Sequence, residues 1–193
     1  MAREMRRKAG VLSVRRGTRK DATTIVALIR GLAEYEKLAH ECEATVSRIR
    51  RHGFGPKRYF ETLICERDGT AVGFALYFFT FSTFLARPTL YLEDLFVLPS
   101  ERGRGGGRAL LAALARIALR RGCGRMEWAV LDWNTPSIGF YERLGARLRR
   151  DWILTRLTGA PLRQLARRDV GPRTGPPNPP TLGAPRRSRG APR

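Results

Sequence analysis

Along residues 11–158 the apolar positions recur in blocks, and the period of recurrence switches between two and three-to-four. "VLSVRRGT" (11–18) reads as a short strand. The next block, "RKDATTIVALIRGLAEYEKL", places Ile25, Leu28, Ile29 and Leu32 at helical spacing, with Asp21 positioned to cap the helix. A second short helix is expected around 43–52, ended by "HGFGP". Two apolar runs follow, "YFETLICER" and "AVGFALYFFTF", separated by an Asp-Gly turn that predicts a hairpin. "TLYLEDLFVLP" is a third run of β type, stopped by Pro99, and a helix through Arg121 comes after it. "RMEWAVLD" predicts another strand, "NTPSIGFYERLG" a short helix capped by Asn134 or Thr135, and "ARLRRDWILTRLT" a final strand pair. The order β-α-α-β-β-β-α-β-α-β-β implies an α/β (α+β) fold, a mixed, mostly antiparallel sheet with helices on both faces.

Composition sharpens the boundaries. The chain of 193 residues holds 37 Lys and Arg against 17 Asp and Glu, a formal charge of +20. Residues 1–20 contain eight basic and one acidic side chain, and residues 159–193 the same numbers, so the excess lies mainly at the ends. Residues 1–10 are expected to be a loose basic leader, 11–158 one folded domain, and 159–193 a Pro, Gly and Arg tail too poor in apolar groups to offset its ordering entropy. Such ends can bind nucleic acid without sequence preference. Neither interleaves aromatics with its charges for base stacking, which favours solvated tails.

Cys42, Cys65 and Cys123 are an odd set without ligand spacing, and His40 and His52 have no neighbouring ligand residues. No disulfide framework and no metal are expected. No stretch approaches the ~18–20 apolar residues needed to span a bilayer, and the basic start lacks an apolar signal block. A cytoplasmic protein is expected.

The densest chemistry lies in "PSERGRGGGRALLAAL" (99–114), at a strand-to-helix junction. Gly103, Gly105, Gly106 and Gly107 leave bare backbone, Arg102, Arg104 and Arg108 add positive charge, and a helix N-terminus contributes its partial charge. A pyrophosphate suits that combination. No Gly-Lys-Ser/Thr ends the stretch, so it is not a Walker loop, and Arg108 stands where a dinucleotide fingerprint needs its last glycine. A Gly/Arg RNA tract would repeat within low-complexity sequence, whereas this stretch occurs once between apolar elements.

The spacing R-x-x-G-x-G of Arg102, Gly105 and Gly107 resembles the coenzyme A pyrophosphate loop of the GNAT N-acetyltransferase superfamily. Together with "YLEDLFV", "NTPSIGFYERLGA" and "LAEYEKL", the chain from about 11 to 157 is similar to the diamine (spermidine/spermine) N-acetyltransferase subgroup. The resemblance implies acetyl transfer from acetyl-CoA to a primary amine of a small polyamine or diamine, without metal. A lysine-like amino acid such as thialysine, or a protein amine, is the alternative acceptor. A nucleic-acid-binding protein acting through its tails is the non-enzyme alternative.

The resemblance also implies roles for particular residues. Glu93 would relay the amine proton, and Tyr141 would protonate the departing sulfur. Asn134, with Ser137 nearby, would hold the cofactor arm, and the backbone of Leu95, Phe96 and Val97 would pair with the pantetheine amides as an added strand does. Tyr35, Glu36, Glu93, Asp94, Glu127 and Trp128 would meet the amine. A homodimer formed through the C-terminal strands is expected on the same ground.

Overall fold

A computed structural model describes residues 10–167; residues 1–9 of the expected leader and 168–193 of the expected tail lie outside the described residues. The chain divides into two compact units, the first ending at Phe140 and the second beginning at Tyr141. In the first, a five-stranded sheet has the order β1 (Leu12–Arg16), β2 (Glu61–Arg67), β3 (Thr70–Ser82), β4 (Arg87–Val97) and β5 (Arg125–Trp128). Neighbours run antiparallel except β4 and β5, which are parallel and joined through helix α3 (Gly106–Arg120). This is the mixed, mostly antiparallel sheet that the hydrophobic pattern implies. The hairpin between β2 and β3 turns on Asp68 (φ 49°) and Gly69 (φ 77°), the pair of positive φ angles that a tight hairpin turn requires.

Strand alternation sends successive side chains to opposite faces. On one face Ile64, Phe74, Leu76 and Phe96 form a core with Ala22, Ile25, Val26 and Leu28 of α1 (Ala22–Tyr35) and Ile49 of α2 (Val46–Phe54). Each of the larger side chains contributes about 1.5–3 kcal/mol on burial. On the other face lies α3, whose Leu110, Leu111, Leu114, Ile117 and Ala118 are buried and whose first residue, Gly106, abuts Cys65.

Asp21 does not cap α1 with its side chain. Its carboxylate instead accepts from the Thr18 backbone N and hydroxyl (2.7 Å each) and from both terminal nitrogens of Arg15 (2.8 and 2.9 Å). These partners hold it well below the usual carboxylate range.

Two local details prepare the site. The pairing of β3 with β4 passes from Leu76 opposite Asp94 to Tyr77 opposite Leu92, so Glu93 is an extra residue on β4, a bulge. The β5 partner covers only Thr89–Leu92 of β4. Beyond it, from Glu93 to Val97, the edge of β4 facing away from β3 has no ladder partner among the described residues.

In the second unit, the end of α4 (Thr135–Arg143) closes on Gly145 (φ 90°), with Ala146 N donating to Tyr141 O (3.1 Å) and Gly145 N to Glu142 O (2.9 Å). This pair of bonds is a Schellman closure. The expected strand pair over 146–158 is not formed: no strand is present there, and Trp152, Ile153 and Leu154 are exposed. β-type composition predicts a strand only where an edge is at hand to complete its hydrogen bonds. The tail expected to be disordered from 159 begins with a helix, α5 (Gly159–Arg167), which buries no residue.

Candidate active site

The Arg/Gly stretch occupies the junction between β4 and α3. Pro99–Glu101 form a single 3-10 turn, after which Gly103 (φ 73°) and Gly105 (φ 89°) take left-handed conformations that only glycine adopts at little cost. Gly106 and Gly107 need a different explanation. A Cβ at Gly106 would meet Cys65 and Val97 no closer than 3.5 Å, and one at Gly107 would meet the Phe140 ring at 3.6 Å, both ordinary contacts. The fold therefore leaves room for a Cβ at these two positions, and their bareness suits a ligand that approaches the backbone. Helix α3 begins at Gly106 without a side-chain cap, so its first N–H groups have no partner within the helix. A glycine loop, uncapped amides and arginines form a donor set that fits a pyrophosphate.

The two loop arginines are held differently. Arg104 bonds to Glu101 (2.7 Å). The Arg102 guanidinium lies 4.2 Å from the centre of the Tyr35 ring and 5.7 Å from that of Phe96, and its Nε donates to Val97 O (3.2 Å). Arg108 is exposed on the first turn of α3.

Tyr35, expected to touch the amine, is thus engaged with residues assigned to the cofactor. Its hydroxyl donates to Asn134 Oδ1 (3.1 Å), and its ring lies 6.1 Å from that of Trp133. The same Asn134 oxygen accepts from Ser137 N (3.3 Å), so Asn134 caps α4 while also binding Tyr35. Asn134 is buried.

The carboxylates divide into two groups. Glu36, at the end of α1, and Asp94 both have raised pKa values. Burial drives the Glu36 shift. Asp94 is pushed up to about 7, chiefly by burial and then by the charges of Glu93 and Glu36. Glu93, on the bulge, is exposed. Asp94 thus feels the charges of both Glu93 and Glu36, whereas Glu127 on β5 is paired with Arg125 (3.0 Å). Trp128 ends β5, half-buried, opposite Leu92. Leu95, Phe96 and Val97 pair with Ala75, Phe74 and Gly73 of β3 along one edge, and their other edge is the open one.

Tyr141 is a buried residue of the second unit, with its carbonyl fixed in the closure of α4. Neither Glu101 nor Trp133 was legible as a site residue in the sequence. One reads as a loop charge and the other as a stray aromatic, and only their contacts distinguish them. Among the described residues, no group of three His, Cys, Asp or Glu is placed to hold a metal ion, and no helix is long and apolar enough to cross a membrane.

The open edge of β4 beyond its pairing with β5 thus leads directly into an uncapped glycine turn. The model of the acetyltransferase (GNAT) family matches residues 29–146. The chain belongs to that family. GNAT enzymes transfer acetyl groups and use acetyl-CoA as co-substrate, so this chain is an N-acetyltransferase in class.

Among its relatives, a mouse (Mus musculus) thialysine N-epsilon-acetyltransferase is 36% identical over 166 residues, covering 80% of this chain and 97% of the relative. A human (Homo sapiens) spermidine/spermine N(1)-acetyltransferase-like protein 1 is 34% identical over 140 residues, 69% of this chain and 20% of the relative. These relatives agree with a place in the diamine acetyltransferase subgroup. Among solved structures, an integron cassette protein from the mobile metagenome of V. cholerae superposes with a TM-score of 0.69 at 26% identity, covering 81% of this chain and 98% of that one.

Proposed function

We propose that this acetyltransferase moves the acetyl group of acetyl-CoA onto the terminal amine of a small, lysine-like amino acid of the thialysine type. What supports this choice of acceptor is the placement of Asp94 within the influence of both Glu93 and Glu36, with its carboxyl raised to about 7. A polyamine spreads several ammonium groups along its length and is best matched by carboxylates along the same path. Glu127, the residue expected to extend such a path, is committed to Arg125. A single focus of negative charge suits a single ammonium. The thialysine relative, aligned over nearly its whole length, supports the same reading.

Acetyl-CoA supplies the thioester whose carbonyl the amine attacks. The N–H groups of Gly103 and Gly105–Arg108, with Arg102 and Arg104, would hold its pyrophosphate. The open edge of β4 from Glu93 to Val97 would pair with its pantetheine amides, and Asn134 would hold the arm. An ammonium entering the carboxylate group must lose a proton before it can attack. A carboxylate titrating near neutral pH exists in both forms there, so Asp94 is suited to take that proton, with exposed Glu93 relaying it to water. Tyr141 is assigned the protonation of the departing thiolate on the strength of the resemblance alone.

The test is release of free thiol from acetyl-CoA with thialysine, lysine, putrescine, spermidine, spermine and a Lys peptide, with Tyr141→Phe alongside. The expected result is a kcat/KM for thialysine at least about tenfold above that for any polyamine, corresponding to about 1.4 kcal/mol of discrimination. The Phe variant should be sharply slower. Preference for spermidine would restore the polyamine as acceptor. Thiol release unchanged in the Tyr141 variant would remove that residue from the chemistry.

A further inference from the structure

Three bonds converge on one buried guanidinium beneath the Arg/Gly loop. Arg67, the last residue of β2, has a side chain only 10% exposed. Its Nε donates to Glu101 Oε2 (2.7 Å), one terminal nitrogen to the backbone oxygen of Arg104 (3.0 Å), and the other to Gly10 O (3.0 Å). Glu101 completes the set by accepting from Arg104 with its second oxygen (2.7 Å).

We propose that Arg67 is the positioning residue of the pyrophosphate loop: it holds the Arg104 carbonyl inward so that the next amide faces the ligand. The proposal rests on the reading of this loop as the coenzyme A site.

The argument is one of peptide geometry. Across a trans peptide the C=O and the following N–H point in opposite directions. The Arg104 oxygen is drawn toward β2 by Arg67, so the N–H of Gly105 is directed away from β2. A loop with two left-handed glycines has many conformations open to it, and glycine loses the most freedom when ordered. Arg67 grips the loop at Glu101, before the first of these glycines, and at Arg104, between the two. Charge acts in the same direction. Glu101, a half-buried carboxylate beside an anion site, would repel a pyrophosphate, and Arg67 and Arg104 together outweigh it. Lysine lacks the planar fork that reaches a carboxylate and two carbonyls at once, so arginine is specifically required.

Arg67→Met and Arg67→Lys provide the test, through calorimetric Kd values for coenzyme A and for pantetheine, which lacks the pyrophosphate, together with melting temperatures. Loss of charge-assisted bonds predicts about a tenfold rise in the coenzyme A Kd for Arg67→Met and a smaller rise for Arg67→Lys, with the pantetheine Kd unchanged in both. Should the Met variant fail to fold, the Lys variant, which keeps a buried cation against Glu101, decides by the same ratio. Equal weakening of both ligands, or a fall in melting temperature with coenzyme A affinity unchanged, would make Arg67 a fastener of the chain at Gly10 and overturn the proposal. If the unaltered protein binds no coenzyme A, the reading of the loop fails first, and the role of Arg67 falls with it.

Discussion

Replacing Asp94 with asparagine tests the electrostatics of the acceptor site through stability, independently of any substrate. The ordinary value of an aspartate is 3.8, and burial, helped by Glu93 and Glu36, pushes Asp94 up to about 7. Between those pH values the folded chain retains a proton that the unfolded chain has released. Stability from this group is therefore complete below about pH 4 and is lost as the pH rises to about 7. The gap between the two values is about 3, which at about 1.4 kcal/mol per pH unit gives a loss of about 4 kcal/mol. Partial access of water to the carboxyl lowers that to about 2–3 kcal/mol. Asparagine keeps the shape and does not titrate. The assay is urea unfolding of both proteins at intervals from about pH 5 to about pH 8, using the difference between them so that other titrating groups cancel. Because part of that loss falls below pH 5, the stability of Asp94→Asn relative to the unaltered protein should climb with pH by about 1 kcal/mol over that range. A difference that stays flat, or that falls with pH, would mean that Asp94 titrates at or below the ordinary carboxylate value and would remove the basis for its role in proton transfer.

Two further perturbations address the cofactor side. Tyr35→Phe deletes the bond to Asn134 while keeping the ring beneath Arg102; one net hydrogen bond is worth about 1 kcal/mol, so KM for acetyl-CoA should rise about fivefold in steady-state kinetics. A larger effect on the amine KM would return Tyr35 to the acceptor site. Gly105→Ala imposes a side chain on a backbone at φ 89° and should cost about 1–2 kcal/mol in chemical denaturation, with Gly105→Asn recovering part of the loss; an Ala variant as stable as the original would show that the left-handed turn is not maintained in solution.

The first unit of the fold and the glycine turn after β4 were largely legible in the linear chain. Helical spacing of Ile25, Leu28, Ile29 and Leu32 located α1, and Asp-Gly located the β2–β3 turn, because periodicity and turn preference act over a few residues. The Arg/Gly spacing at 102–107 pointed to an anion cradle for the same reason. The segment 146–158 and the start of the tail were misread, since composition states what a strand prefers and not whether a partner edge exists. Asp21 looked like a helix cap by position, but Arg15 lies within reach and takes its carboxylate.

What tertiary structure alone decided is which groups face one another. Adjacent Glu93 and Asp94 are equivalent in sequence, and the bulge on β4 separates them into an exposed and a half-buried carboxylate. Burial beside Glu93 and Glu36 then gives Asp94 its raised pKa. Tyr35 and Asn134 are 99 residues apart, and Arg67 and Arg104 are 37 apart. Such pairings depend on strand register and chain crossover. Short-range preference sets what each segment can become, and only the assembled sheet sets its neighbours, its burial and therefore its charge.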